Sequence, residues 1–180
     1  MRCVINTTNN IVEVPFTKEM TLNANAKANS LGSIDNSILD GKGNFAGYLG
    51  EEIVADYMKA LQISTDEGDE KYSYDLVKDN QKIEVKTKRR TVPPKGFYDA
   101  SVAVYSRHQN PDIYVFVSLQ YIDNVPVKAW ICGQKDSEEY FKEATFYSRG
   151  DIDPSNNWVV SVDCYNLPYK ELDRVTPNEQ

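Results

Sequence analysis

The chain has 180 residues, 41% hydrophobic and 26% charged. That composition suits one soluble domain with a real core and excludes a disordered or collagen-like chain. A net charge of −7 excludes a protein that coats nucleic acid through a broad basic surface, because such proteins neutralise many phosphates. Any basic footprint must be local, and one exists: Lys82, Lys86, Lys88, Arg89, Arg90 and Lys95 fall within fourteen residues. Three cysteines, Cys3, Cys132 and Cys164, are odd in number and lack C-x-x-C spacing, so neither a thiolate zinc site nor a disulfide framework is expected. No stretch reaches the ~18 apolar residues that span a bilayer, and no signal-peptide pattern opens the chain. The expectation is a cytoplasmic protein with no membrane partner.

In chain order, residues 1–16 alternate around Val4, Asn6 and Ile11–Val14 and suggest a short strand. Thr17 to Leu31 reads as a helix that Thr17 caps and Gly32 ends. Residues 33–44 form a glycine-bearing loop. Phe45 to Leu61 is the clearest helix, and the acidic stretch 64–71 is a loop. Tyr72–Lys78 and Gln81–Lys88 read as two strands around an Asp79-Asn80 turn. The basic, Pro93-Pro94-containing stretch 89–96 reads as a loop, and Tyr98–Tyr105 fits helix or strand. Ile113–Leu119 (I-Y-V-F-V-S-L) is a continuous apolar run, as in a strand buried on both faces. Val127–Cys132 and Trp158–Val162 read as further strands, Ser137–Ala144 as a short helix capped by Ser137, and 173–180 as a frayed tail. The order implies a single domain over 1–180, α/β or α+β, with a mixed central sheet flanked by helices.

A two-residue loop at Asp79-Asn80 sets Leu76 opposite Ile83 and Asp75 opposite Glu84. Opposed residues share a face with Cβ atoms roughly 4.5–5.5 Å apart. Two carboxylates so placed repel unless a proton or a cation intervenes, and hard oxygen ligands suit magnesium or manganese. Along the second strand Glu84, Lys86 and Lys88 share one face, while Ile83, Val85 and Thr87 share the other and pack on the core. Lys86 thus stands two residues from the expected metal, placed to orient a water or to balance charge on phosphorus. On the long helix Glu52, Asp56 and Lys59 cluster on a solvent face, whereas Glu51 falls among Leu49, Ile53, Val54, Tyr57 and Met58. A carboxylate aimed at the core is costly unless it is paired or binds metal. Gly47 and Gly50 flank this turn and permit close packing on the sheet.

Glu51 in G-E-E-I-V-A-D-Y, then Asp75, then E-V-K at 84–86, resembles the PD-(D/E)XK nuclease superfamily, over about residues 44–120. The segment G-K-G-N-F-A-G-Y-L-G-E-E is also similar to small phage-encoded restriction-endonuclease-like proteins. The resemblance implies a restriction-endonuclease-like fold and a Mg2+-dependent deoxyribonuclease, an endonuclease, with Mn2+ as a substitute ion. DNA would be its partner, a homodimer stays open, and a phage origin would place it in the host cytoplasm. By the same resemblance Asp75, Glu84 and the carbonyl of Val85 would bind metal, Lys86 would be the catalytic lysine, and Glu51 a further acid. Lys88, Arg89, Arg90 and Lys95 would contact nucleic acid. Tyr74 stands where many members have proline, and Gln109 matches a glutamine that some branches place after the E-x-K strand. His108 is the only histidine, so no Ser-His triad is available, and no G-x-x-x-x-G-K-[ST] phosphate loop occurs. Two alternatives stay open: an inactive nucleic-acid- or protein-binding module of the same fold, and an RNA-directed nuclease.

Overall fold

The computed structural model describes residues 10–30, 42–62 and 74–177, with backbone alone at 42 and 43. The sequence readings at Val4, Asn6, Gly32, most of the 33–44 loop, the acidic 64–71 stretch, Tyr72, Ser73 and the last three residues lie outside these. The described chain is a mixed α/β structure. Its centre is a six-stranded sheet in the order β1 (Val12–Val14), β7 (Val125–Asp136), β6 (Ile113–Ile122), β4 (Gln81–Arg90), β3 (Leu76–Lys78), β2 (Leu61–Gln62). Only the β4–β6 pair is parallel.

Helices α1 (Lys18–Ser30) and α2 (Lys42–Met58) cover one face. A three-stranded sheet of β5 (Asp99–Ala103), β11 (Cys164–Pro168) and β8 (Thr145–Tyr147), with helix α3 (Ser137–Glu143), covers the other. A small hairpin of β9 (Ile152–Asp153) and β10 (Trp158–Val159) precedes β11. Two cores result. Leu49, Ile53 and Val54 of α2 meet Ile83, Val85, Val115 and Val117 on the helix side. Tyr114, Phe116, Trp130 and Cys132 meet Val102, Tyr140, Leu167 and Tyr169 on the other. Strand β6 alternates its side chains between both cores, which is why it reads as an unbroken apolar run.

Local chemistry explains most boundaries. The Thr17 hydroxyl accepts the Met20 amide at 3.2 Å and caps α1 as expected. Helix α2 ends three residues before the predicted Leu61, because Lys59 turns left-handed (φ 54°) and the Ala60 amide closes on the Ala55 carbonyl at 3.0 Å. Leu61 and Gln62 then become an edge strand. The turn residues Asp79 and Asn80 both take left-handed φ, 50° and 63°, which gives the twist a two-residue hairpin requires. Asp123 and Asn124 repeat this turn between β6 and β7 with the same angles.

Several predicted boundaries move. Strand β4 runs on through Arg89 and Arg90 instead of entering a loop, because β6 pairs with it as far as Gln120. The ambiguous Tyr98–Tyr105 stretch is strand β5 followed by a 3-10 helix over Val104–Gln109. The α3 cap is Asp136, whose Oδ1 accepts the amides of Glu138 and Glu139 at 2.9 and 3.1 Å, and not Ser137. The late Trp158–Val162 strand shrinks to two residues. At the β7 bulge, a Cβ on Gly133 would meet the Leu172 Cβ at 2.6 Å, and its φ of +137° suits glycine alone.

Gly50 sets the distance between α2 and β4: a Cβ there would stand 2.0 Å from the Thr87 hydroxyl. Gly47 has no such role, since a Cβ there would meet no described atom within 4 Å. Gly50→Ala should therefore lower the melting temperature by several degrees, in line with overpacking costs of about 1–3 kcal/mol. Gly47→Ala should be neutral or slightly stabilising, since alanine is the better helix former. Adding Thr87→Ala to Gly50→Ala should restore part of the loss. Equal melting curves for the two single variants would show that α2 is not seated by this contact.

Candidate active site

The site forms where β3 leaves β4. The two strands pair in the predicted register, Lys78 with Gln81, Val77 with Lys82 and Leu76 with Ile83, and ladder pairing stops there. Asp75 does not continue the ladder opposite Glu84 as expected. Its amide bonds the Ile83 carbonyl at 2.9 Å, one residue out of step. Its carboxylate turns back across the gap, where Oδ2 accepts the Val85 amide at 2.8 Å. A strand residue aims its N–H and C=O to the same side, so the Val85 carbonyl lies on this edge too.

Glu84 is 4% exposed. Its Oε1 accepts from Lys86 Nζ at 2.7 Å, and the same ammonium donates to Gln109 Oε1 at 2.9 Å. The other oxygen, Oε2, is buried with no hydrogen-bond partner among the described residues. A buried, unmatched carboxylate oxygen is expensive in a folded protein. Gln109 arrives on the 3-10 helix after β5 and fixes the lysine.

The third acid comes from α2. Glu51 is half-buried, at the edge of the apolar arc, and its carboxyl is pushed up to about 7. Burial is the main cause; Glu84 and Glu52 add to it, against the opposing charge of Lys27. Asp75 is raised well above the ordinary carboxylate range by burial, then by Glu84 and Glu51, with the Val85 amide and Lys86 pulling the other way. The three acids therefore sense one another at this edge, although no three His, Cys, Asp or Glu among the described residues form a ready-made metal cage. Glu52, expected on a solvent face, instead ties α1, α2 and β2 together: it accepts from Lys27 at 3.0 Å and from Gln62 at 2.9 Å.

The charged face of β4 is only partly open to solvent, because the β5–β11–β8 sheet lies over it. Lys88 Nζ donates to the Asp99 carbonyl at 2.8 Å and to Ser101 Oγ at 2.7 Å, and burial, with Arg90 nearby, brings its pKa down to about 8. Arg90 bonds Ser118 and Tyr169 and stacks on the Tyr98 ring at 4.6 Å. Arg89, on the opposite face, stacks on Tyr121 at 4.1 Å. Lys95 remains exposed, over Phe97. The structure thus brings Lys88 and Arg90 into the interior beside Lys86 and leaves Lys95 apart from them.

Sequence reasoning missed the groups facing that interior. Asp153 is 3% exposed and accepts from the Ser155 amide at 2.8 Å and from Asn166 at 3.1 Å. Asp99 rises to about 6, through burial and then through a hydrogen bond and charge from Asp153. The one usable signal was Lys88 itself, since a lysine inside a paired strand demands acceptors. Cys132 and Cys164 are free, buried thiols. No helix among the described residues is long and apolar enough to cross a membrane.

No protein-family model matches this chain, and no curated protein matches it.

The raised acids make stability depend on pH. Glu51 has a folded pKa of about 7 against 4.5 for the free group, so between those values the folded state holds more protons than the unfolded one. Stability contributed by this group is then full below about pH 4.5 and falls as pH rises to about 7. In EDTA, Glu51→Gln should match the parent near pH 4.5 and melt several degrees higher at pH 7. A difference between the two that does not change with pH would show that the Glu51 carboxyl is not held in this environment.

Proposed function

We propose that the chain is a metal-dependent nuclease of the PD-(D/E)XK kind, hydrolysing a DNA phosphodiester at the edge of β4. The observation that carries this reading is the convergence on that edge of Asp75, pinned by the Val85 amide, with Glu84 and Lys86. A cation fits the donors. Glu84 Oε2 is a buried oxygen without a partner among the described residues, and Asp75 and Glu51 are raised by burial and then by like charge. Magnesium commonly binds through one or two carboxylates and keeps several waters. Asp75, Glu84 and the Val85 carbonyl would hold the ion, with Glu51 beside them. Bound there, a divalent cation supplies Lewis acidity toward the phosphate and makes a bound water more acidic.

The chain's own groups do the rest. Lys86 holds a compact positive charge beside the reacting phosphate, where negative charge grows as water attacks. Gln109 and Glu84 fix the ammonium from two sides, so little reorganisation is needed when substrate arrives. Asp75 keeps Val85 in place through its amide. Helix α2, seated by Gly50, closes the helix side of this edge.

Single-turnover cleavage with magnesium, or with manganese, tests the reading on plasmid, linear, branched and single-stranded DNA and on RNA. Lys86→Ala should fold and bind metal yet cleave about 10²–10³-fold more slowly. Lys86→Arg should rescue poorly, because a planar fork does not replace an ammonium. Asp75→Asn and Glu84→Gln should lose cleavage and the melting-temperature gain that the metal gives the parent. Full activity in Lys86→Ala, or no cleavage of any substrate by the parent, overturns the assignment; cleavage confined to RNA moves it to the RNA-directed alternative.

A further inference from the structure

A cavity of about 650 Å³ lies between the charged face of β4 and the second sheet. Lys86 lines it, so the cavity and the proposed catalytic edge share a wall. The volume falls within the range of small-molecule sites. A duplex is far too wide to enter, whereas one nucleotide turned out of its strand is of the right size.

Two features of the lining are chemically directed. Trp158 and Tyr105 both line the cavity and are 66% and 63% exposed. Large aromatic rings left in water beside a pocket offer a stacking surface for unpaired bases. Deeper in, the wall is polar. Asp153 accepts from Ser155 and Asn166, and Ser101 donates to Asn166 at 2.6 Å. The Asp99 carboxyl stands beside Asp153, with Ser155 Oγ at 3.3 Å. Lys88 and Arg90 form the cationic floor along β4.

We propose that this cavity is a nucleobase pocket, taking one unstacked base of a single-stranded or locally opened DNA beside the phosphate presented to Lys86, and favouring a base with an exocyclic amine. The preference follows from the carboxyl wall. Carboxylates accept from amines such as cytosine N4, whereas at the same ring position thymine presents O4, an acceptor that a carboxylate repels. Stacking on Trp158 supplies affinity that any base can use, so the carboxyl wall supplies the discrimination. The position of the phosphate rests on the nuclease reading, but the binding of a base does not.

The test is binding of the full chain, in EDTA, to a single-stranded oligodeoxynucleotide carrying 2-aminopurine. Its fluorescence should be quenched on binding, and the same base paired inside a blunt duplex should respond little. Trp158→Ala and Tyr105→Ala, both changes at exposed side chains, should each weaken binding about tenfold. Oligo-dC should compete several-fold better than oligo-dT, and Asp153→Asn, checked for folding by its melting curve, should remove that difference. Equal response of duplex and single strand, or no loss in Trp158→Ala and Tyr105→Ala, overturns the pocket. Equal competition by dC and dT overturns the amine preference. Base binding without cleavage in magnesium would sink the nuclease reading and leave the pocket standing; duplex cleavage without quenching would do the reverse.

Discussion

Strand β4 carries five charges on one face, at Lys82, Glu84, Lys86, Lys88 and Arg90, and the fold lays all but the exposed Lys82 against a second sheet. Burying charge costs several kcal/mol per ion unless each finds partners, and this requirement shapes the rest of the molecule. Lys86 sits between Glu84 and Gln109. Lys88 reaches the Asp99 carbonyl and Ser101. Arg90 lies against two tyrosines and a serine. The exception is one oxygen of Glu84. Beside three answered cations, a carboxylate oxygen with no partner among the described residues, next to two acids raised by burial and like charge, is where an external cation relieves most.

The same economy separates two neighbouring residues on α2. Glu52 and Glu51 are identical in chemistry and adjacent in sequence. Burial works against ionisation at Glu52, but hydrogen bonds from Gln62, Lys27 and Asn23 outweigh it and hold the carboxyl below its ordinary range. Glu51 is turned a further 100° around the helix, toward Glu84, and rises instead. One glutamate fastens the helical layer, and its neighbour is left under strain facing β4. Holding Glu51 there depends on how closely α2 approaches, which Gly50 and Thr87 decide.

Much of this was legible in the sequence because it rests on short-range rules. The Asp79-Asn80 turn fixed the hairpin register, the apolar arc of α2 singled out Glu51, and the unbroken apolar run over Ile113–Leu119 marked a strand buried on both faces. Legibility ended where a contact joins distant segments. Asp75 leaves the ladder one residue early, and only the tertiary bond to Val85 shows how it still reaches the site. The alternation of Glu84, Lys86 and Lys88 with apolar residues reads as a wet face and a dry face, but the wet face is covered by strands from residues 99–103 and 164–168. Those short strands carry polar residues at Ser101 and Asn166, so no periodicity announced a second layer. The Asp123-Asn124 dipeptide did repeat the Asp79-Asn80 signal, and it extends β6 and β7 beyond their apolar centres.

The parallel pairing of β4 with β6 ties these features together. Antiparallel neighbours need only a turn between them, but a parallel pair requires a crossover of a dozen or more residues, commonly a helix. Here the crossover is built from β5 and the following 3-10 helix. As it passes over the face of β4, it brings Asp99 and Ser101 to Lys88, and then Gln109 to Lys86. The connection that makes the parallel pair possible thus also covers the charged face, orients the lysine at the site, and roofs the cavity beside it. A change that loosens β5 should disturb all three together, whereas a change at the helix face, such as at Gly50, should reach Glu51 while leaving the Lys86–Gln109 contact in place.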